Sequence, residues 1–122
     1  MFIRSGIDAI EIQRLEEVLQ RHGERFLQRV FTPQEIQLYR SRPQSLAARF
    51  AAKEAVSKAL GCGIGAVNWL DIEIVHDPAH QPCLILHRQA LQEAQKLGIQ
   101  GWSLSLTHTQ ELAIAVAVAW GE

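Results

Sequence analysis

The alternation of apolar and polar positions predicts a strand at the start of the chain, helices through the middle and strands towards the end. The first strand is expected at residues 2–8. Helices are expected at residues 10–21, 24–30, 33–40, 43–60 and 88–97. Further strands are expected at 70–75, 83–87, 101–108 and 111–120. Helices followed by antiparallel strands indicate an α+β fold, and the length suits a single domain over residues 1–122.

The last predicted strand has two apolar faces of different size. One face carries the large residues Leu112, Ile114, Val116, Val118 and Trp120. The other face carries Ala113, Ala115, Ala117 and Ala119. A strand without a polar face is typically buried on both sides. The alanine face suits a closely packed helix, whereas the large face needs cover from the same chain or from a neighbouring subunit.

Composition and charge exclude several classes of protein. The chain is 48% apolar and 20% charged, as globular proteins are, and it has no apolar run long enough to cross a membrane. It shows no secretory signal, and its two cysteines suit reduced thiols, so a cytoplasmic location is expected. A net charge of −1 argues against a nucleic-acid partner. All eight basic residues in 1–50 are arginines, which is compatible with a patch that meets an acidic protein.

Four residues are candidates for chemistry, and each has an ordinary alternative. Glu54 and Lys58 share one face of the helix at 43–60. They suit either a surface ion pair or a metal carboxylate beside a phosphate-binding ammonium. Asp8, which ends the first strand, suits either a helix cap or a metal ligand. His108, which ends a later strand, would ordinarily be a hydrogen-bonded turn residue.

Three blocks in the chain resemble one family, the holo-acyl-carrier-protein synthases, which are small bacterial 4'-phosphopantetheinyl transferases. The blocks are Gly6-Ile7-Asp8, the stretch Arg-Phe-Ala-Ala-Lys-Glu-Ala-Val-Ser-Lys at 49–58, and Ser-Leu-Thr-His-Thr at 105–109. The segment Trp-Leu-Asp-Ile-Glu-Ile at 69–74 is also similar to the family. The resemblance spans nearly the whole chain. It implies an antiparallel sheet packed on a long helix, and a homotrimer with active sites between subunits.

The family resemblance also implies a reaction and a set of catalytic residues. The reaction moves 4'-phosphopantetheine from coenzyme A to a serine hydroxyl of an apo acyl carrier protein and releases 3',5'-ADP. Asp8 and Glu54 would hold Mg²⁺, with Mn²⁺ as an alternative ion. Lys58 would stabilise charge on the phosphate oxygens. Two candidates stay open for removing the serine proton, namely Glu54 and a water held by the metal.

Two further groups of residues are expected to bind the substrates. Arg49, His108 and Thr109 are candidates for contacts with the nucleotide's 3'-phosphate, with Thr109 offering its hydroxyl and its backbone amide. Lys53 suits either a phosphate contact or a solvated helix position. The docking surface for the carrier protein is expected along the first helix at Arg14, Val18, Arg21 and Arg25, although acidic residues interleave with this stripe and would also suit a solvated face.

Two other functions compete with this interpretation. His76, His80, Cys83 and His87 are all possible zinc ligands within twelve residues, but on a hairpin they would converge only by chance. A non-catalytic protein that binds coenzyme A or a nucleotide is the second alternative. The glycines at 61, 63 and 65 follow a helix instead of opening one, so they indicate a helix end and a loop and no dinucleotide site.

Overall fold

One long helix lies at the centre of the molecule and contacts both of its sheets. The computed structural model describes all 122 residues. In chain order the helices are α1 Ile12–Val30, α2 Pro33–Tyr39, α3 Pro43–Leu60 and α4 Arg88–Leu97. The strands are β1 Phe2–Glu11, β2 Ile72–His76, β3 Pro82–Leu86, β4 Ile99–His108 and β5 Leu112–Gly121, with a single 3-10 turn at Trp69–Asp71. The central helix is α3, whose bounds are those that the sequence predicts.

The larger sheet is antiparallel, has the strand order β1-β5-β4, and rests on α3. All four alanines on the small face of β5 are fully buried, and two of them, Ala115 and Ala117, share a core cluster with Ala51 and Ala55 of α3. Small residues on both elements let a strand and a helix approach closely. The prediction that the alanine face receives a helix is therefore confirmed, as is the α+β class with an antiparallel sheet on a long helix.

Gly6 marks the closest approach of β1 to α3. A β-carbon added to Gly6 would overlap the carbonyl oxygen of Ala55. Only glycine therefore fits at this position, and the crossing point of strand and helix is fixed by it. Asp8 lies two residues further along β1, so its side chain leaves the sheet on the same side as Gly6, towards α3.

The smaller sheet is the hairpin of β2 and β3, which covers another part of α3. Its buried residues Ile72 and Ile74 join the core cluster that includes Val56 and Leu60 of α3. A second cluster, centred on Leu15, Phe31 and Leu46, packs α1 and α2 against the first half of the same helix.

The opposite face of the larger sheet is uncovered within one chain. Ile3 and Ile7 of β1 are 69% and 60% exposed, and Trp120 of β5 is 37% exposed. These residues are neighbours, because Ile3 pairs with Trp120 and Ile7 pairs with Val116. An intramolecular cover, one of the two alternatives for the large face of β5, is therefore absent.

The boundary expected between the first strand and the first helix is wrong. The first strand continues to Glu11, because Ile10 and Glu11 pair with Ala113 and Leu112 of β5 instead of starting the helix. The separation expected between the helices at 10–21 and 24–30 is confirmed, because α1 consists of two helical segments that meet at a break at Gly23. The φ of 48° and ψ of −124° of Gly23 are compatible with glycine and with few other residues. None of the four helices combines the length and the apolar character that a transmembrane helix requires.

Candidate active site

Asp8, Glu54 and Lys58 come together where β1 crosses α3. The Nζ atom of Lys58 lies 3.3 Å from Oδ1 of Asp8 and donates a hydrogen bond of 2.9 Å to the carbonyl oxygen of Ile7. Asp8 and Glu54 line the same cavity, which has a volume of about 400 Å³. Two carboxylates and an ammonium that are 46 and 50 positions apart in sequence are thus brought to one place by the contact at Gly6.

The charged form of Glu54 is disfavoured at this site. Burial raises the pKa of Glu54, the charge of Asp8 raises it further, and Lys58 acts in the opposite direction. One ammonium does not fully compensate two carboxylates, so the site favours an additional cation. Mg²⁺ is commonly held by one or two carboxylates together with water and phosphate oxygens. No cluster of three or more histidine, cysteine, aspartate or glutamate side chains occurs here or elsewhere in the chain, and the pair fits Mg²⁺ without one.

The cavity beside the carboxylates is largely apolar. Its walls include Leu15 and Val18 of α1, Phe26 beyond the break in α1, and Phe50 of α3. The ring of Phe50 stacks between those of Phe26, at 6.3 Å, and Trp69, at 4.7 Å. The site can therefore receive an apolar group directly next to the charged cluster. Leu15, Phe26 and Phe50 are additional wall residues, and their only signal in the sequence is an apolar side chain within a predicted helix.

The four residues expected to dock a carrier protein lie near this cavity but do not form one continuous stripe. Arg14 and Val18 line the cavity, and Arg21 is exposed further along α1. Arg25 follows the break at Gly23 and lines a separate cavity with His22, Phe26 and Arg29. None of the three arginines forms an ion pair with an acidic side chain of the chain. Their charges are available to an acidic partner.

Lys53 belongs to the interior, so both expectations for it are wrong. Its side chain is fully buried, and Nζ donates to Oε1 of Glu35 at 2.8 Å and to the carbonyl oxygens of Trp69 at 3.0 Å and Ile72 at 2.5 Å. All three N–H donors of the ammonium are used inside the protein. Lys53 can neither be solvated nor reach a substrate phosphate.

Glu35 completes the buried network around Lys53. Its Oε1 accepts a hydrogen bond from the backbone amide of Thr32, and its Oε2 accepts one from the amide of Ile74. Glu35 also closes a capping box with Thr32 at the start of α2. Burial alone would raise the pKa of neighbouring Glu73, but hydrogen bonds from Thr32 and His87 hold it below its usual value.

Arg49 and His108 lie together at a second, smaller cavity near the start of α3. His108 is exposed, and its Nδ1 lies 3.3 Å from the carbonyl oxygen of Thr109. The Thr109 hydroxyl accepts hydrogen bonds from the amides of Glu111 and Leu112, and the Thr109 amide donates to the Leu112 carbonyl. The expected amide contact from Thr109 to a phosphate is therefore wrong, because that amide closes the turn between β4 and β5.

The four possible zinc ligands do not converge. The Nδ1 atom of His76 is 2.6 Å from the Tyr39 hydroxyl, and His87 pairs with Glu73 at 3.1 Å. Cys83 is a free, exposed thiol on β3. These separate partners exclude a shared zinc site in this conformation.

The glycine loop ends α3 as the sequence predicts. Gly61 adopts a left-handed conformation and its amide bonds to the carbonyls of Ser57 and Lys58. The side chain of Arg4 adds a hydrogen bond of 2.7 Å to the Ala59 carbonyl and approaches that of Leu60. A cation at the last carbonyls of a helix is favourable. Arg4 lies on the same side of β1 as Gly6 and Asp8, because alternate residues of a strand point the same way.

Known proteins are similar to this protein over most of the chain. Residues 4–117 match the family model of the 4'-phosphopantetheinyl transferase superfamily. The chain is 52% identical to holo-[acyl-carrier-protein] synthase of Moorella thermoacetica over 95% of this chain and 92% of that protein. It is 46% identical to the protein of the same name from Herpetosiphon aurantiacus, over 96% and 98% of the two chains.

Solved structures of similar proteins share the fold. The crystal structure of Helicobacter pylori holo-[acyl-carrier-protein] synthase in complex with coenzyme A matches with a TM-score of 0.87 at 38% identity, over 95% of this chain and 99% of that one. The Bacillus anthracis protein in complex with CoA (3',5'-ADP) matches with a TM-score of 0.80 at 34% identity, over 98% and 96%. Sequence and structure together show that the chain belongs to the holo-[acyl-carrier-protein] synthase family of the 4'-phosphopantetheinyl transferase superfamily.

Proposed function

We propose that this protein transfers 4'-phosphopantetheine from coenzyme A to a serine hydroxyl of an apo acyl carrier protein and releases 3',5'-ADP. The observation that carries the proposal is the convergence of Asp8, Glu54 and Lys58 beside an apolar cavity. The names of the relatives and the coenzyme A bound to the Helicobacter pylori protein support the same reaction. Residues 1–122 would act as one transferase domain, because α3 joins both sheets.

The reaction forms a bond from the serine oxygen to the β-phosphorus of coenzyme A and breaks the bond from that phosphorus to the leaving 3',5'-ADP. Such transfers depend mainly on positioning and on stabilising negative charge. Lys58 is suited to the second task, since its ammonium is half exposed beside Asp8 and can donate to a phosphate oxygen. Glu54 is suited to accept the serine proton, because burial and the charge of Asp8 raise its pKa.

Asp8 and Glu54 are the residues that would hold Mg²⁺, or Mn²⁺ in its place. The ion would supply positive charge to the pyrophosphate when bound. Glu54 cannot give all of its oxygens to a metal and also accept a proton. A water at the site is the alternative base.

A homotrimer would complete the site. The uncovered sheet face around Ile3, Ile7 and Trp120 is an exposed apolar surface of the kind that subunits cover. Within one chain, the cavity of Asp8 and Glu54 shares no lining residue with that of Arg49 and His108. With active sites between subunits, the second cavity of one subunit would face the carboxylates of the next and receive the nucleotide's 3'-phosphate.

The carrier protein would dock on the exposed arginines of α1. Arg14 is next to the apolar cavity and the carboxylates, so an acidic helix held there would bring its serine close to the reacting phosphate. Val18 would supply an apolar contact between the charges, while Arg21 and Arg25 would extend the positive surface on either side of Gly23.

The test is transfer itself. The protein is incubated with coenzyme A, Mg²⁺ and an apo acyl carrier protein, and the carrier's mass is followed. Glu54→Gln should abolish the gain of the phosphopantetheine mass while the far-ultraviolet circular dichroism stays that of the parent. Glu111→Gln, which removes an exposed carboxylate in the β4–β5 turn, should transfer normally. Binding of coenzyme A without any transfer would favour the non-catalytic alternative.

A further inference from the structure

The cavity at the start of α3 is lined by cationic and neutral polar groups and by no acidic residue. Its volume is about 200 Å³. The polar residues on its walls are Gln44, Ser45, Arg49, His80, Thr107 and His108. A concave site with one permanent cation, two imidazoles and no carboxylate favours an anion.

Arg49 is held in this cavity without a counter-ion. Its residue exposure is 9%, no carboxylate pairs with it, and its Nε atom is buried without an acceptor. A buried guanidinium with an unused donor is costly unless a ligand accepts from it. The unused donor is thus an independent sign that this wall of the cavity is built to meet an anion.

Two neighbouring side chains hold the Arg49 guanidinium in place. It lies over the ring of Tyr39, with Cζ 3.8 Å from the ring centroid, and its Nη2 donates to the Tyr39 hydroxyl at 3.0 Å. The Tyr39 oxygen accepts this bond and lies 2.6 Å from Nδ1 of His76, so the three side chains form one hydrogen-bonded chain from Arg49 through Tyr39 to His76.

His80 reaches the cavity from a constrained turn between β2 and β3. Its φ of 63° is left-handed, a conformation that is unfavourable for most residues other than glycine. The turn is tied by Asp77, whose Oδ1 accepts hydrogen bonds from the amides of Ala79 and Gln81. The ring of His80 stacks on that of His76 at 5.4 Å. Strain of this kind in a turn that faces a cavity is typical of binding sites.

We infer that His80 is a further residue that binds the 3'-phosphate of coenzyme A, and that Tyr39 and His76 are positioning residues that hold Arg49 towards it. The inference rests on the proposed function only for the identity of the ligand. His80 would donate one imidazole N–H to a phosphate oxygen, and Arg49 would donate the Nε proton that has no acceptor in the protein.

The test compares the dissociation constants of coenzyme A and 3'-dephospho-coenzyme A, measured by calorimetry on the intact protein without carrier protein. His80→Gly removes the imidazole and suits the left-handed backbone, so the turn should stay folded. It should weaken coenzyme A about tenfold, the typical value of one charge-assisted hydrogen bond, and leave dephospho-coenzyme A unchanged. His80→Asn, which tolerates the same backbone and retains an N–H donor, should recover part of the loss.

Tyr39→Phe tests the positioning role. It keeps the ring under Arg49 but removes the oxygen that accepts from Nη2, so it should weaken coenzyme A severalfold and spare the dephospho ligand. Gln81→Ala, in the same turn but outside the cavity lining, should bind both ligands as the parent does. Equal weakening of both ligands by His80→Gly, or no change in either, overturns the inference. Failure of carrier modification by the parent protein would instead count against the proposed function, because the binding comparison needs no turnover.

Discussion

Two lysines of α3, five positions apart, have opposite environments. Lys53 and its partner Glu35 are both fully buried, whereas Lys58 is 51% and its partner Asp8 21% exposed. Lys53 donates all its protons to the protein, while Lys58 retains a side that faces the candidate site. The comparison teaches that neighbouring charges in one sequence block can differ completely in burial, and that only the exposed lysine is accessible to a ligand.

The buried lysine should give the largest effect on stability. Lys53→Met should lower the free energy of unfolding by about 3–5 kcal/mol, because it leaves Glu35 as an uncompensated buried carboxylate. Urea unfolding followed by circular dichroism measures this loss. The double variant Lys53→Met with Glu35→Gln should be more stable than the single one, since the orphan charge is gone. A loss below about 1 kcal/mol, the size found at exposed ion pairs, would contradict a larger contribution of Lys53 than of Lys58 to stability.

The exposed Lys58 should affect the rate of carrier modification and leave the free energy of unfolding nearly unchanged. Lys58→Ala should reduce the rate of carrier modification by about 10²–10³-fold, since it removes a donor aimed at developing phosphate charge. Its free energy of unfolding should change by less than about 1 kcal/mol because the pair is exposed to solvent. Lys96→Ala, at another exposed ion pair of this chain, is the matched control for both measurements. A large loss of stability without loss of rate would reverse the assignment.

The exposed arginines of α1 should affect the binding of the carrier protein and leave the fold unchanged. Arg14→Glu should raise the KM for the carrier protein about tenfold through lost attraction and leave the KM for coenzyme A nearly unchanged. Steady-state rates at varied carrier and at varied coenzyme A separate the two constants. Gln13→Glu adds an acid at the neighbouring exposed position and should do much less. Equal increases in both constants would contradict a docking role for Arg14.

The smallest effect concerns the pH dependence of stability. The pKa of Glu54 is raised in the folded protein above its ordinary value of 4.5. Between the ordinary and the raised pKa, the folded state therefore binds more protons than the unfolded state. The stability that Glu54 contributes is fully present below pH 4.5 and is lost as the pH rises through the folded pKa. Glu54→Gln should remove this loss and make the protein slightly more stable at neutral pH. Thermal unfolding from pH 4 to pH 8 measures it, and a variant less stable than the parent at pH 7 would contradict the result.

Much of the fold could be predicted because the patterns were local. The bounds of α3 and α4 followed from helical periodicity and terminal glycines, and the alanine face of β5 followed from strict alternation. The boundary between β1 and α1 could not, because Ile10 and Glu11 are held as strand by β5, a pairing more than a hundred positions away. The local sequence around Ile10 and Glu11 carries no information about so distant a pairing partner.

By itself, the sequence determined the elements, the family resemblance and the residue types that could hold a metal and phosphate. Only the tertiary structure decided which of these residues meet. The contact at Gly6 brings Asp8 to Glu54 and Lys58, and the burial of Lys53 removes it from the site. The reason is that charge and periodicity follow directly from the order of the residues. Burial and the distance between remote side chains arise only when the sheet and the helix pack together.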